Sequence, residues 1–148
     1  MPTSAELQAQ LNYELAVYKE QINLIKRETE RVSLTTVDLT NALKTVENLS
    51  AQRVLIPVGG GALVKGNVVQ TQVLVPIGAE YLVEMSKEEA TEEIKKRVEA
   101  TKKAVERLTE EFNKIVAKLR EATGQLQQLQ TQTKINETVD GNIRDDYI

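Results

Sequence analysis

A chain of 148 residues that is 41% hydrophobic but only 3% aromatic has the length of one domain and lacks the rings that usually fill a compact core; this favours long helices packed along seams. With no His and no Cys it lacks the usual general base, the commonest metal ligands and any disulfide. Its 19 basic and 22 acidic residues nearly balance without a basic stripe for nucleic acid, and no run reaches the roughly 20 apolar residues of a membrane span or has the make-up of a signal peptide. The expectation is a mainly α, cytoplasmic, non-enzymatic protein with no cofactor, metal, nucleic-acid or membrane partner.

The first element, within residues 1–50, is a long helix. Apolar residues recur in steps of four and three from Leu11 through Leu15, Tyr18, Ile22, Ile25, Val32, Leu39 and Leu43 to Val46, with Thr29 and Thr36 in the same seam. No Pro or Gly interrupts them, so the pattern is a heptad seam and predicts a coiled-coil helix of roughly 50 Å.

Residues 51–85 change character. The stretch "VLIPVGGGALVK" is followed nineteen positions later by "VLVPIGAEYLVE", without a gap. Val54, Leu55, Pro57, Gly59, Leu63 and Val64 match Val73, Leu74, Pro76, Gly78, Leu82 and Val83, and most other pairs swap like for like, as Ile56 with Val75 and Val58 with Ile77. Four strands are expected, at residues 54–58, 62–69, 73–77 and 81–85, forming two hairpins that turn at Gly59–Gly61 and Gly78–Glu80 and are joined at Gln70–Gln72. Pro57 and Pro76 lack an N–H and must sit at an edge or a bulge. Strands apolar on both faces need cover on both, and so small a sheet cannot cover itself. The hairpins are therefore expected to be an assembly surface that other chains complete, most simply as a β-barrel; the alternative is a private sheet folded back on the helix ends.

Residues 86–133 are the second coiled-coil helix. Ser86 and Glu89 have the spacing of a capping box. The seam then runs Ile94, Val98, Thr101, Val105, Leu108, Phe112, Ile115, Leu119, Ala122, Leu126, Leu129. If Leu43 faces Ile94, the two seams match as an antiparallel pair down to Leu11 and Leu126, and Thr36 meets Thr101, a polar layer that favours this register. The alternative is that each helix pairs with another chain. Off the seam, Leu24, Leu34 and Val37 are expected as shoulder packing between the helices. Residues 134–148 read as a short, polar, mobile tail.

Two other patterns carry no chemistry. The run "VGGGALVKGN" lacks the Gly-Lys-Ser/Thr ending of a phosphate loop, and a strand rather than a helix follows it. The carboxylate pairs Glu88–Glu89, Glu92–Glu93, Glu110–Glu111 and Asp145–Asp146 lie on polar stretches and read as solvated charge.

Helix, "VLIPVGGGALVKG", "VLVPIGAEYLVE", "MSKEEA" and a second helix together resemble the prefoldin family, over roughly Leu7 to Thr133. The two hairpins are similar to its α-type subunits, since the β type carries one, and the brevity of the chain is archaeal-like. The resemblance implies a hexamer of two α-type and four β-type subunits, held by hairpins closed into a double β-barrel. In such a hexamer coiled-coil tips grip unfolded polypeptides without ATP and pass them to a group II chaperonin. The assembly residues would then be Val54, Ile56, Pro57, Val58, Gly59, Leu63, Val64, Val73, Val75, Pro76, Ile77, Gly78, Leu82 and Val83. The client-binding tip would comprise Leu7, Leu11, Tyr13, Leu15, Val17, Leu126, Leu129 and Ile135. Of these, Leu7, Tyr13 and Val17 fall off the seam, so pairing within the hairpin cannot bury them all. A structural coiled-coil scaffold or filament subunit without client binding is the alternative.

Overall fold

The computed structural model describes residues 1–69 and 71–145. In chain order it has helix α1 (Ser4–Glu47), strands β1 (Arg53–Gly59), β2 (Ala62–Asn67), β3 (Val73–Gly78) and β4 (Tyr81–Met85), and helix α2 (Lys87–Asp145). Gln70, in the expected connection between the hairpins, and the last three residues of the expected tail lie outside the described residues. The chain divides into two compact units: Met1–Glu30 with the stretch from Glu106 onward, and Arg31–Val105.

The seams are where the periodicity puts them. Every seam position of α1 from Leu11 to Val46, and of α2 from Ile94 to Leu129, is buried or half-buried. In the unit Arg31–Val105, Val46, Ala90, Ile94 and Val98 form a buried cluster against which Leu39, Ala42 and Leu43 pack, so Leu43 and Ile94 share one core as the register requires. In the other unit, Ile25 and Ile115 line one groove, and the Lys26 ammonium lies 6.0 Å from the centre of the Phe112 ring, at the limit of a cation–π contact. The helices therefore pair with each other in both units.

The Thr36 hydroxyl donates to the Val32 carbonyl and the Thr101 hydroxyl to the Val98 carbonyl, so each is satisfied on its own helix. Thr29 does the same, onto the Ile25 carbonyl. The layer tolerates burial without hydrogen bonds across the seam.

Leu24, Leu34 and Val37 correct the shoulder-packing expectation, for all three stay more than half exposed. A two-helix pair buries one stripe per helix, and a shoulder needs a third element to cover it.

Ser86 caps α2 as its spacing predicts. The Glu89 N–H donates to the Ser86 hydroxyl (3.1 Å) and the Ser86 N–H to the Glu89 carboxylate (3.4 Å). The Lys87 ammonium then reaches back to the Leu49 carbonyl (3.2 Å), tying the start of α2 to the residues that leave α1.

The strands form two separate two-stranded antiparallel sheets, β1–β2 and β3–β4. Pro57 faces Leu63 and Pro76 faces Leu82, and in each hairpin the register slips by one residue straight afterwards, at Val58 and at Ile77. Each proline thus adjoins a bulge, as its missing N–H demands. β2 stops at Asn67, short of the expected Val69, although the Val68 N–H still donates to the Gln52 carbonyl (2.8 Å).

The two turns share a geometry but not a chemistry. Gly60 and Gly61 occupy left-handed φ values of 56° and 78°, the pattern of a two-residue primed turn that glycine adopts freely. In the second hairpin the same positions belong to Ala79 and Glu80, at 47° and 64°. Each side chain there carries a Cβ penalty of about 1 kcal/mol or more. Substitution of both, Ala79→Asn with Glu80→Gly, is expected to stabilise the chain by about 1 kcal/mol, read as a higher urea midpoint with unchanged slope.

Candidate functional site

The middle of the chain presents far more apolar surface than a self-contained protein needs. On β1–β2, directly opposed pairs are Leu55–Lys65, Ile56–Val64 and Pro57–Leu63, and all six residues are exposed. Alternation puts Leu55, Pro57, Leu63 and Lys65 on one face and Val54, Ile56 and Val64 on the other. Gly66 leaves room for the Ile56 side chain, since a Cβ there would lie 2.8 Å from its Cδ1. No residue of this hairpin is buried.

The second hairpin is anchored. Val75 is only 3% exposed and packs with Val46, Ala90, Ile94 and Val98, with Val73 and Met85 alongside. Its other face, with Leu74, Pro76 and Leu82, remains open, as do Ile77 and Tyr81. Val73 and Val75 thus serve the core of this chain itself. Here the alternative of a sheet folded on the helix ends is partly realised, for β3–β4 alone. Leu55, Leu74 and Tyr81 are as exposed as the expected assembly residues and were missed, although all three lie inside the repeated stretch. Closure into a barrel does not occur within one chain, whose sheets stay two-stranded. Monomeric proteins rarely leave contiguous apolar patches of this kind uncovered.

At the unit built from the chain ends, sequence reasoning joined two kinds of residue that the structure separates. Leu11 is buried, and Leu15, Val17, Leu126 and Leu129 are half-buried, so these five are engaged in helix pairing. Leu7, Tyr13 and Ile135 are exposed, Tyr13 at 72%. α2 does not stop where the expected tail begins but continues as helix to Asp145. In the register that sets Leu11 against Leu126, α1 starts opposite residue 133, so among the described residues the turns of α2 beyond that point have no partner helix. Everything from Gln130 to Asn142 is exposed, including Val139, one turn beyond Ile135 on the same side of the helix and absent from the expected tip.

α1 begins with a capping box that sequence reasoning overlooked. The Thr3 N–H donates to the Glu6 carboxylate (2.7 Å), and the Glu6 N–H to the Thr3 hydroxyl (3.2 Å). The bond from the Thr3 backbone, then that from its side chain, holds the Glu6 carboxyl below its ordinary range. A depressed carboxylate contributes stability above its unfolded pKa and loses it as pH falls through its folded pKa. Amide-exchange protection in the first turn of α1 is therefore expected to be full near neutrality and to decline on acidification below the ordinary Glu range. Glu6→Gln, which removes the titrating carboxyl, should abolish that pH dependence, whereas Thr3→Ala, which keeps the Thr3 N–H, should only lessen it.

Among the described residues no three His, Cys, Asp or Glu side chains are placed to hold a metal, and no helix is long and apolar enough to cross a membrane.

Two long paired helices that bracket a duplicated β-hairpin with uncovered apolar faces define a coiled-coil protein that carries two small sheets between its helices. The chain belongs to the prefoldin family: the family described as "Prefoldin subunit" matches residues 18–132. Prefoldin subunit alpha 1 of Methanocaldococcus jannaschii is 32% identical over 124 residues, covering 81% of this chain and 87% of that protein. Prefoldin subunit alpha of Thermofilum pendens is 31% identical over 79% of this chain and 95% of its own length. Among solved structures, a cryo-EM structure of filamentous PFD from M. jannaschii aligns with a TM-score of 0.65 at 25% identity, over 77% of this chain and 98% of that one. The crystal structure of the prefoldin beta subunit from Thermococcus strain KS-1 shares the fold, with a TM-score of 0.60 at 22% identity over 86% of this chain and 96% of that one.

Proposed function

We propose that this chain is the α-type subunit of a prefoldin hexamer, a cytoplasmic chaperone of two α-type and four β-type subunits that holds unfolded polypeptides without ATP. The hairpins are its assembly surface, closing with those of β-type subunits into a double β-barrel. The exposed apolar residues near the chain ends contact clients, which pass to a group II chaperonin. The observation that carries this reading is the pair of hairpins: one open on both faces, the other open on one, in a chain of the prefoldin family. Exposed, apolar helix ends bind many sequences weakly, and several of them in one particle act together through effective concentration. The chain has no His or Cys for acid–base or thiol chemistry, consistent with a role in binding and not in catalysis.

The second reading, a scaffold or filament subunit without clients, draws support from the filamentous state named for the M. jannaschii neighbour. Both readings use the hairpins; they part at the chain ends. The test is to size the full chain with a β-type prefoldin subunit and then follow aggregation of two denatured proteins unrelated in sequence. A closed hexamer that suppresses both supports the chaperone. Open-ended polymers that suppress neither support the scaffold.

A further inference from the structure

One side of the unit built from the chain ends gathers most of the apolar residues that helix pairing leaves uncovered. On α1, Leu7, Gln10, Glu14, Val17, Gln21 and Leu24 follow one another in steps of three and four, so they form one row beside the seam. On α2 a row in the same steps starts at Glu111, Lys114, Lys118 and Glu121 and ends at Ile135 and Val139. The two rows flank one shoulder, because Gln21 and Leu24 line a single groove with Glu111, Lys114 and Lys118. Leu7, Leu24, Ile135 and Val139 are exposed along it, and Val17 is half-buried. From Ile115 to Val139 the strip runs about 36 Å, the reach of an extended segment of about ten residues.

The groove at the inner end of this strip has about 390 Å³ of space over Leu24, Ile25 and Ile115. Its charges are arranged in a definite order. Lys114 and Lys118 stand one turn apart, with Glu111 and Glu121 one turn outside them on either side. Among the described residues none of these four forms an ion pair. The acid of the α1 row, Glu14, is engaged already, since it accepts from the Gln10 amide at 3.2 Å. Two like charges one turn apart repel, and a carboxylate placed between them relieves that repulsion. A second carboxylate one turn away would meet Glu111 or Glu121 instead.

We propose that this shoulder seats one segment of an unfolded polypeptide lengthwise, and that its groove selects an isolated acidic residue flanked by apolar ones. The apolar side chains cover Leu24, Ile25 and Ile115, and the carboxylate lies between Lys114 and Lys118. The bound segment is then the third element that the exposed Leu24 lacks. The inference rests on the reading that this unit contacts unfolded polypeptides, and it adds a site inward of the chain ends and the class of segment that fits it. The length of the strip favours a polypeptide over a small amphipathic anion, which would fill the groove alone. Exposed charge pairs contribute little affinity singly but penalise the wrong sign, so the lysines select and the apolar floor holds.

The test is fluorescence anisotropy on the full chain at low salt, with circular dichroism to check helix content. The probes are three short labelled peptides of leucine and serine that differ only in a central glutamate, glutamine or lysine. The glutamate peptide should bind about tenfold more tightly than the lysine peptide, with the glutamine peptide between them, and the preference should fade at high salt. Lys114→Gln with Lys118→Gln should erase the preference and leave the glutamine peptide bound as before. Leu24→Ser should weaken all three alike. Glu111→Gln with Glu121→Gln should admit a peptide with several adjacent glutamates, which the wild type binds poorly. A lysine variant that keeps the preference would overturn the proposal, as would a wild type that binds the lysine and glutamate peptides equally. If the groove variants bind like wild type while serine at Leu7, Tyr13 and Ile135 abolishes binding, the groove assignment fails and contact at the chain ends stands. A wild type that binds no peptide, in a particle that suppresses no aggregation, removes the client reading and the proposal with it.

Discussion

Replacing Ile56 and Val64 together by serine is expected to leave the chain folded and to abolish its assembly. In the isolated chain these cross-strand partners are 48% and 50% exposed, on a hairpin with no buried residue, so polar replacements there cost the fold little. In a closed assembly both would be covered. Fully burying such a side chain contributes about 1.5–3 kcal/mol; these two are half-covered already, so serine forfeits about 1–1.5 kcal/mol at each. Two per copy lower the affinity at each contact by about a hundredfold, and a particle with several contacts does not survive that. Sizing with a β-type subunit, beside a thermal melt of the chain alone, reads both halves. An unchanged particle would show that the hairpin is not an interface, and a chain that no longer folds would show that its exposed residues support the fold after all.

The second large effect is expected at the chain ends. Changing Leu7, Tyr13 and Ile135 to serine should leave the particle intact and weaken suppression of client aggregation by about tenfold. All three side chains are exposed, and none sits in the seam, so helix pairing does not depend on them. Tyr13 is a rigid, amphipathic ring with few rotamers to freeze, which suits it to contacts with many sequences. Repetition in one particle multiplies a small loss at each end, because binding there is a matter of effective concentration. Val17 and Leu11 are the informative controls: they are half-buried and buried, so serine at either should lower helix-pair stability first. Full suppression by the triple variant in an intact particle would move client binding elsewhere.

The pairing of the helices was legible because a heptad seam is a local record of what it packs against: each residue from Leu11 to Val46 and from Ile94 to Leu129 carries its own burial in its spacing. The hairpins were legible for a different reason, a repeated proline–glycine pattern whose bulges follow from a missing N–H. What escaped was whatever depends on a missing neighbour. Leu24, Leu34 and Val37 have the composition of packed residues but no third element to pack on. The last turns of α2 persist past Leu129 although the seam has ended, because a helix keeps its hydrogen bonds without a partner. Val75 looked like every other strand valine, and only the fold shows that it belongs to Val46, Ala90 and Ile94. The box of Thr3 and Glu6 was plainly written but lay upstream of the seam from which the helix was traced.

The unequal mounting of the two hairpins has a consequence for how a free subunit behaves. One is wedged against the helices by Val75, so its amides should exchange slowly, at rates set by opening of that core. The other hangs on its own ladder alone and should exchange quickly until something lies over it. In an assembly built on the hairpins, such a protein would meet its neighbours half rigid and half adjustable, one surface setting the geometry and the other conforming to it.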